Sequence, residues 1–171
     1  NQQVLNEANP LLSGSLLDGS RVQLVMPPAS IEPTVAIRRQ VVCDMTLSDC
    51  LQQGFFASAV PYNLKPQEES ILNDNERLLD DYYQQGDWYQ LLHHAMALKK
   101  NIIISGGTST GKTTLLNACL REIPLDQRIV TLEDTREITA PHRNQVNLLA
   151  IKGMQSKANI SMQDLLQCSL R

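Results

Sequence analysis

The sequence predicts an α/β protein in two parts: a small mixed α+β domain over residues 1–45, then a P-loop domain over 46–171. Three observations carry this. An Asp18-Gly19 pair lies between two apolar runs, the sign of a β-hairpin. Residues 101–122 run from an apolar strand through a glycine-rich loop into a helix. A second apolar strand at 128–132 then ends on two adjacent carboxylates, and alternation of strand and helix builds a parallel sheet.

The totals agree. A chain of 171 residues suits one domain or one and a half and buries roughly two-thirds of its unfolded surface. Hydrophobic residues at 42% and charged residues at 19% read as soluble and globular. A formal charge of −3 and the absence of any Lys/Arg run leave no footprint for broad nucleic-acid binding, and no direct sequence-specific contact is expected.

In chain order, Ser15-Leu16-Leu17 and the run 22–26 form the hairpin arms, because Asp-Gly tolerates the positive φ of a type I′ turn. Pro27-Pro28 stops the second arm. A third strand is expected over 34–42, where Val35, Ile37 and Val41 are interleaved with Arg38, Arg39 and Gln40. The arginine pair has two readings here: a solvated edge, or cations reaching toward a ligand. Thr46 with Asp49 three residues on fits a capping box, and Gly54 ends the short helix it starts. A loop through Pro61 and Pro66 follows.

Residues 68–85 read as a polar amphipathic helix with Ile71, Leu72, Leu78, Leu79, Tyr82 and Tyr83 as its stripe, closed by Gly86. Asp87 and Gln90 open another, whose Lys99-Lys100 end suits the negative pole of the helix dipole. His93 and His94 on it are adjacent, point to different sides and read as surface residues. Cys43, Cys50, Cys119 and Cys168 form no Cys-x-x-Cys pair, so reduced thiols packed as small apolar groups are expected. No apolar run approaches the ~18–20 residues of a membrane span, and no signal peptide precedes the first strand, which reads as cytoplasmic. The chain opens without Met and closes inside the helix-like stretch 162–170, so a fragment is expected.

The chemistry concentrates after Ile102-Ile103-Ile104, a run fit for a buried parallel strand. Gly106-Gly107-Thr108-Ser109-Thr110-Gly111-Lys112-Thr113 follows, a G-x-x-x-x-G-K-[ST] match, and 114–122 reads as the helix behind it. A triphosphate brings several negative charges that must be met without bulk. Gly106 and Gly111 let backbone N–H groups turn inward, the helix N-terminus adds unpaired donors, and Lys112 brings a mobile full charge. The Thr113 hydroxyl completes a Mg²⁺ shell. At the carboxyl end of the second strand, Glu133 and Asp134 also have two readings: a solvated strand end, or carboxylates orienting a water and holding magnesium.

The P-loop continuing into Thr114, with Thr-Leu-Glu-Asp-Thr-Arg-Glu over 131–137, resembles the hexameric traffic ATPases of type IV secretion and conjugal transfer. Pro33 to Arg39 (Pro-x-x-x-Ile-Arg-Arg), Thr46-Leu47-Ser48-Asp49 and Met162-Gln163-Asp164-Leu165-Leu166 agree with it. The resemblance implies a RecA-like second domain truncated before its Walker B strand and histidine box, and a fragment that binds nucleotide less well than the whole. It implies ATP and Mg²⁺ as ligands and Lys112, Glu133 and Asp134 as the catalytic set. The phosphate loop runs from Gly106 through Gly107, Thr108, Ser109, Thr110, Gly111, Lys112 and Thr113 to Thr114, with Arg38, Arg39 and Arg136 facing the phosphates in cis or in trans. It implies a homo-hexameric ring docked peripherally on inner-membrane components of a channel. Two rivals share the P-loop: a small-molecule kinase, whose Arg-rich lid is not found, and a scaffold that binds nucleotide without hydrolysis. A GTPase is weaker still, since no Asn-Lys-x-Asp or Thr-Lys-x-Asp segment occurs.

Overall fold

The computed structural model describes residues 4–17, 19–39, 44–62, 73–150 and 160–170. Among them, in chain order, lie β1 (Leu11–Ser15), β2 (Arg21–Val25), β3 (Thr34–Arg38), α1 (Leu47–Gln52), α2 (Asp74–Gln85), α3 (Trp88–Ala97), α4 (Lys112–Leu120), β4 (Ile129–Glu133), β5 (Gln145–Leu149) and α5 (Met162–Ser169). The α/β class follows directly. No helix among the described residues is long and apolar enough to cross a membrane.

The elements group into two compact units. The first takes Asn1–Val42, Ile129–Glu137 and Gln145–Arg171. Its amino-terminal part is an antiparallel meander in the order β1-β2-β3, with Leu12 opposite Leu24 and Leu24 opposite Val35. The period of two puts Leu12, Val22, Leu24, Val35 and Ile37 on one face. The hairpin exists, but its arms sit earlier than the Asp-Gly pair suggests. Ser15 pairs with Arg21, and the Leu16 N–H donates to the Ser20 carbonyl at 2.8 Å. A five-residue loop results, and Leu17 stands fully exposed in it rather than in the ladder. Gly19 takes φ +83, while Asp18 and the 40–42 end of the third expected strand lie outside the described residues.

β4 and β5 form a parallel pair in the same unit, from Ile129 opposite Gln145 to Glu133 opposite Leu149. The Ala150 N–H extends the ladder to the Glu133 carbonyl at 2.8 Å. Ile129, Thr131 and Glu133 are buried along β4, and α5 packs on the pair through Leu165.

The second unit takes Cys43–Arg128 and Ile138–Asn144. α1, α3 and α4 pack together, and α2 lies on α3; Leu47, Cys50, Ala95, Ala118 and Cys119 fill the centre. The thiols of Cys50 and Cys119 are buried as expected, whereas Cys168 in the first unit is exposed. Cys43 lies outside the described residues. α1 begins in a full Thr46–Asp49 capping box. α2 begins at Asn73 in an equivalent box with Glu76, and the expected start at 68–72 is outside the described residues. Gly86 closes α2 in the left-handed conformation. Lys99 and Lys100 lie just past α3, where their N–H groups meet the Met96 and Ala95 carbonyls.

One expected element is absent. Residues 101–105 are not a strand, and Ile103 is 92% exposed. A strand needs a neighbour to complete its ladder, and none of the described strands bonds to this run. α4 also starts at Lys112, two residues earlier than expected, because Gly111 already turns the chain into the helix.

Candidate nucleotide site

The expected site residues divide between the two units. Gly106 to Thr114 fall in the second; Arg38, Arg39, Glu133, Asp134 and Arg136 fall in the first.

The loop closes on itself in the second unit. The Thr110 hydroxyl donates to the Gly107 carbonyl at 3.0 Å, and a Cβ at Gly106 would sit 2.8 Å from that hydroxyl oxygen. A side chain at 106 would displace that hydroxyl from its bond. A Cβ at Gly107 would meet ordinary packing at 3.8 Å, so that glycine is not sterically demanded. Gly111 has φ +84, and its α-carbon faces Phe55, whose Cε1 would lie 3.1 Å from a Cβ there. Ser109 also sits in the left-handed region at φ 60, a conformation that non-glycine residues rarely adopt outside ligand clamps and tight turns. Sequence pattern gave no sign of that.

Gly111 is the N-cap of α4 and has no side chain to cap it. The first intrahelical bond is Leu115 N–H to the Gly111 carbonyl, so Lys112, Thr113 and Thr114 form the first turn of the helix. Thr108, Ser109 and Thr110 are exposed, and Lys112, Thr113 and Thr114 are half-buried. The Lys112 ammonium folds back and donates to the Gly107 carbonyl. That partner is neutral, and no ion pair among the described residues involves Lys112, so its charge is not offset. Further along, Asn117 is buried and accepts the Thr139 N–H at 3.0 Å, which fixes the helix behind the loop. The arrangement suits a phosphate chain: a narrow glycine-walled bend, a helix N-terminus without a side-chain cap and a mobile cation.

In the first unit, Glu133 ends β4 as a buried residue. Its carboxylate accepts the Glu137 N–H at 2.7 Å and lies 3.4 Å from the Thr131 hydroxyl, which in turn donates to Asn147 Oδ1 at 2.9 Å. Glu133 thus shapes the bend that follows it. On that bend Asp134 and Arg136 are exposed. Glu137 pairs its carboxylate with the Arg21 guanidinium. Arg38 stands opposite Arg21 in the ladder, so both side chains leave the same sheet face, and Arg39 is the first residue past β3.

Arg21 was not legible as a site neighbour, since 116 positions separate it from Glu137. Neither was His142, only 1% exposed, whose Nε2 lies 3.2 Å from the Ile123 carbonyl oxygen. No local pattern marks either residue.

The type II/IV secretion system protein family matches residues 74–171. The type IV secretion system protein VirB11 of Bartonella quintana is 34% identical over 177 residues, covering 99% of this chain and 50% of that protein. VirB11 of Brucella suis is 36% identical, with 99% and 46% covered, and PtlH of Bordetella pertussis is 36% identical, with 95% and 47% covered. A crystal structure of the VirB11 ATPase from the Brucella suis type IV secretion system, in complex with sulphate, superposes with a TM-score of 0.52 at 35% identity, covering 99% of this chain and 49% of that one. The chain therefore spans about half the length of the relatives it matches. With the matched region reaching over more than half of its residues and taking in the P-loop and the acidic bend, the chain belongs to the type II/IV secretion system protein family.

Proposed function

We propose that this chain is the nucleotide-binding part of a traffic ATPase that powers type IV secretion or conjugative transfer by hydrolysing ATP. The observation that carries the proposal is Lys112: a cation in the first turn of a helix whose N-cap is a glycine, held among the described residues by a neutral carbonyl of the loop it serves. The backbone N–H groups from Gly106 to Thr114 bind the phosphate chain, and Lys112 leaves Gly107 for the β/γ oxygens. Thr113, Glu133 and Asp134 would hold Mg²⁺, which would supply positive charge against the phosphates, and the two carboxylates would orient the attacking water. Of the two carboxylates, Asp134 is the exposed one, while Glu133 is already engaged in shaping the bend. Arg38, Arg39 and Arg136 stabilise phosphate charge, in the same subunit or across a boundary.

In this reading the domain boundary lies near residue 45, with a RecA-like domain after it. The protein works in the cytoplasm as a homo-oligomeric ring, six-membered as its resemblance implies, docked on inner-membrane components of a channel. The VirB11 and PtlH relatives, named as type IV secretion system proteins, support that setting.

Lys112→Ala tests the core of it. Mg-ATP binding to the chain should fall about thirty- to a thousandfold, as loss of a charged phosphate partner costs some 2–4 kcal/mol. Turnover by the protein, in the length its gene encodes, should vanish while the far-ultraviolet circular dichroism stays unchanged. Unaltered turnover would place the reaction elsewhere.

A further inference from the structure

The second unit contains a cavity of about 500 Å³ beside the phosphate loop, walled by α1, the 53–61 segment after it and the α2–α3 junction. Leu51, Phe56, Pro61 and Trp88 give it apolar and aromatic walls, and Gln85 lines it together with Gln84, whose Nε2 also donates to Asp80 Oδ1 at 3.3 Å. Its walls are held before any ligand arrives. The Tyr83 hydroxyl accepts the Tyr62 N–H at 2.6 Å and donates to the Tyr62 carbonyl at 2.8 Å, which ties the end of the loop to α2. Tyr83 also meets Trp88 edge-on, with ring centroids 5.7 Å apart, which fixes the indole.

The loop that forms one wall also touches the P-loop. Phe55 packs on Gly111, and its chain neighbours Gly54 and Phe56 both line the cavity. One step along the chain is only ~3.8 Å between α-carbons, so the residues on either side of the one that packs on Gly111 both line the cavity. A cavity with apolar and aromatic walls and a few amide donors and acceptors suits a planar ring with a polar edge.

We propose that this cavity takes the nucleobase of the triphosphate held on residues 106–113, with Trp88 as its aromatic wall and Gln84 and Gln85 as readers of its edge. The proposal rests on the nucleotide-binding reading above. Purine and aromatic faces attract by stacking, and the amides distinguish adenine from guanine because the two rings present opposite donor and acceptor patterns.

Trp88 is the single tryptophan of the chain, so it reports on the slot without any label. The unmodified chain is titrated with Mg-ATP, Mg-GTP and Mg-tripolyphosphate, following heat and tryptophan emission together. Tripolyphosphate should bind, by heat, with no change in emission, while ATP binds tighter and alters it. Gln85→Ala, on an exposed position, should weaken ATP about threefold and narrow the ATP-to-GTP preference. Trp88→Ala should weaken ATP about tenfold, and neither variant should alter tripolyphosphate binding. The proposal is overturned if ATP binds without affecting Trp88 emission, as it would if the slot served an apolar side chain of another protein. Equal losses of ATP and tripolyphosphate in both variants would overturn it too, by making the wall a support of the phosphate loop. If neither ATP nor tripolyphosphate binds the unmodified chain, the phosphate-site reading falls first and takes this one with it.

Discussion

Burial decides what Cys119 can do. It sits in α4 behind the phosphate loop, 2% exposed, and its thiol is pushed up to about 11, first by burial, then by the neighbouring Cys50 and the Glu122 carboxylate. The thiolate is the reactive form, so Cys119 is inert near neutrality whereas Cys168 is open to solvent. The folded value lies above the ordinary 9.0, so the folded state keeps a proton that the unfolded chain releases. Its contribution to stability is therefore full below about pH 9 and lost as pH rises toward 11. Brief iodoacetamide labelling at pH 8 followed by peptide mass analysis should modify Cys168 well before Cys119. Urea midpoints measured from pH 8 to pH 10.5 should fall less steeply for Cys119→Ala than for the parent. Equal labelling of the two thiols would mean that α4 is not packed as described.

Helices α1, α2 and α5 share a device: Thr46 with Asp49, Asn73 with Glu76 and Ser161 with Asp164 each form a reciprocal capping box. Hydrogen bonds from the cap residue hold each carboxyl below its ordinary value, led by the backbone N–H for Asp49 and Glu76 and by the hydroxyl for Asp164. A lowered folded value contributes stability above the unfolded value and loses it as pH falls through the folded one, here below the ordinary 3.8 to 4.5. Thr46→Ala should cost about 1 kcal/mol at pH 7 in urea unfolding. The cost should shrink as pH falls below the ordinary 3.8 and Asp49, taking up its proton through the lowered folded value, ceases to complete the box. A loss that stays the same size down to the acid limit of folding would remove the carboxylate from the account. Of these boxes Thr46–Asp49 alone was read from the sequence, legible because its partners lie within four residues. β5 was not, since its Gln145-Val-Asn-Leu-Leu pattern becomes a strand only by lying beside β4, and the Ile102-Ile103-Ile104 run shows the converse. The same division runs through the candidate site. The glycines, Lys112 and the Glu133-Asp134 pair announced themselves by spacing, while Phe55 against Gly111 depended on a contact between distant parts of the chain.

The first unit gathers three separated stretches of chain, so something must hold its early sheet to the β4 strand that follows much later. Arg21 and Glu137 do this directly, and the reason lies in the charges around them. Arg21 faces Arg38 across the ladder, and like charges directly opposite repel. Glu137 relieves that repulsion while its own N–H is fixed on the buried Glu133 carboxylate. The bend carrying Asp134 and Arg136 is thereby held at both ends. With side chains 35% and 40% exposed, the pair is screened, and its coupling should be about 0.5 kcal/mol. A double-mutant cycle measures it: Arg21→Ala, Glu137→Ala and the double variant, unfolded in urea at low and at 1 M salt. The coupling should weaken at 1 M salt, where screening acts over roughly 3 Å. Arg21→Glu alone sets two carboxylates against each other while gaining Arg38 across the ladder, and adding Glu137→Arg should raise stability above that of the single variant. The swap restores the attraction between the two positions, and the carboxylate it brings to β2 also meets Arg38, where the parent has two like charges. No coupling at low salt, or no recovery in the swap, would mean that the bend is shaped by Glu133 alone and that the early sheet contributes nothing to the position of Asp134.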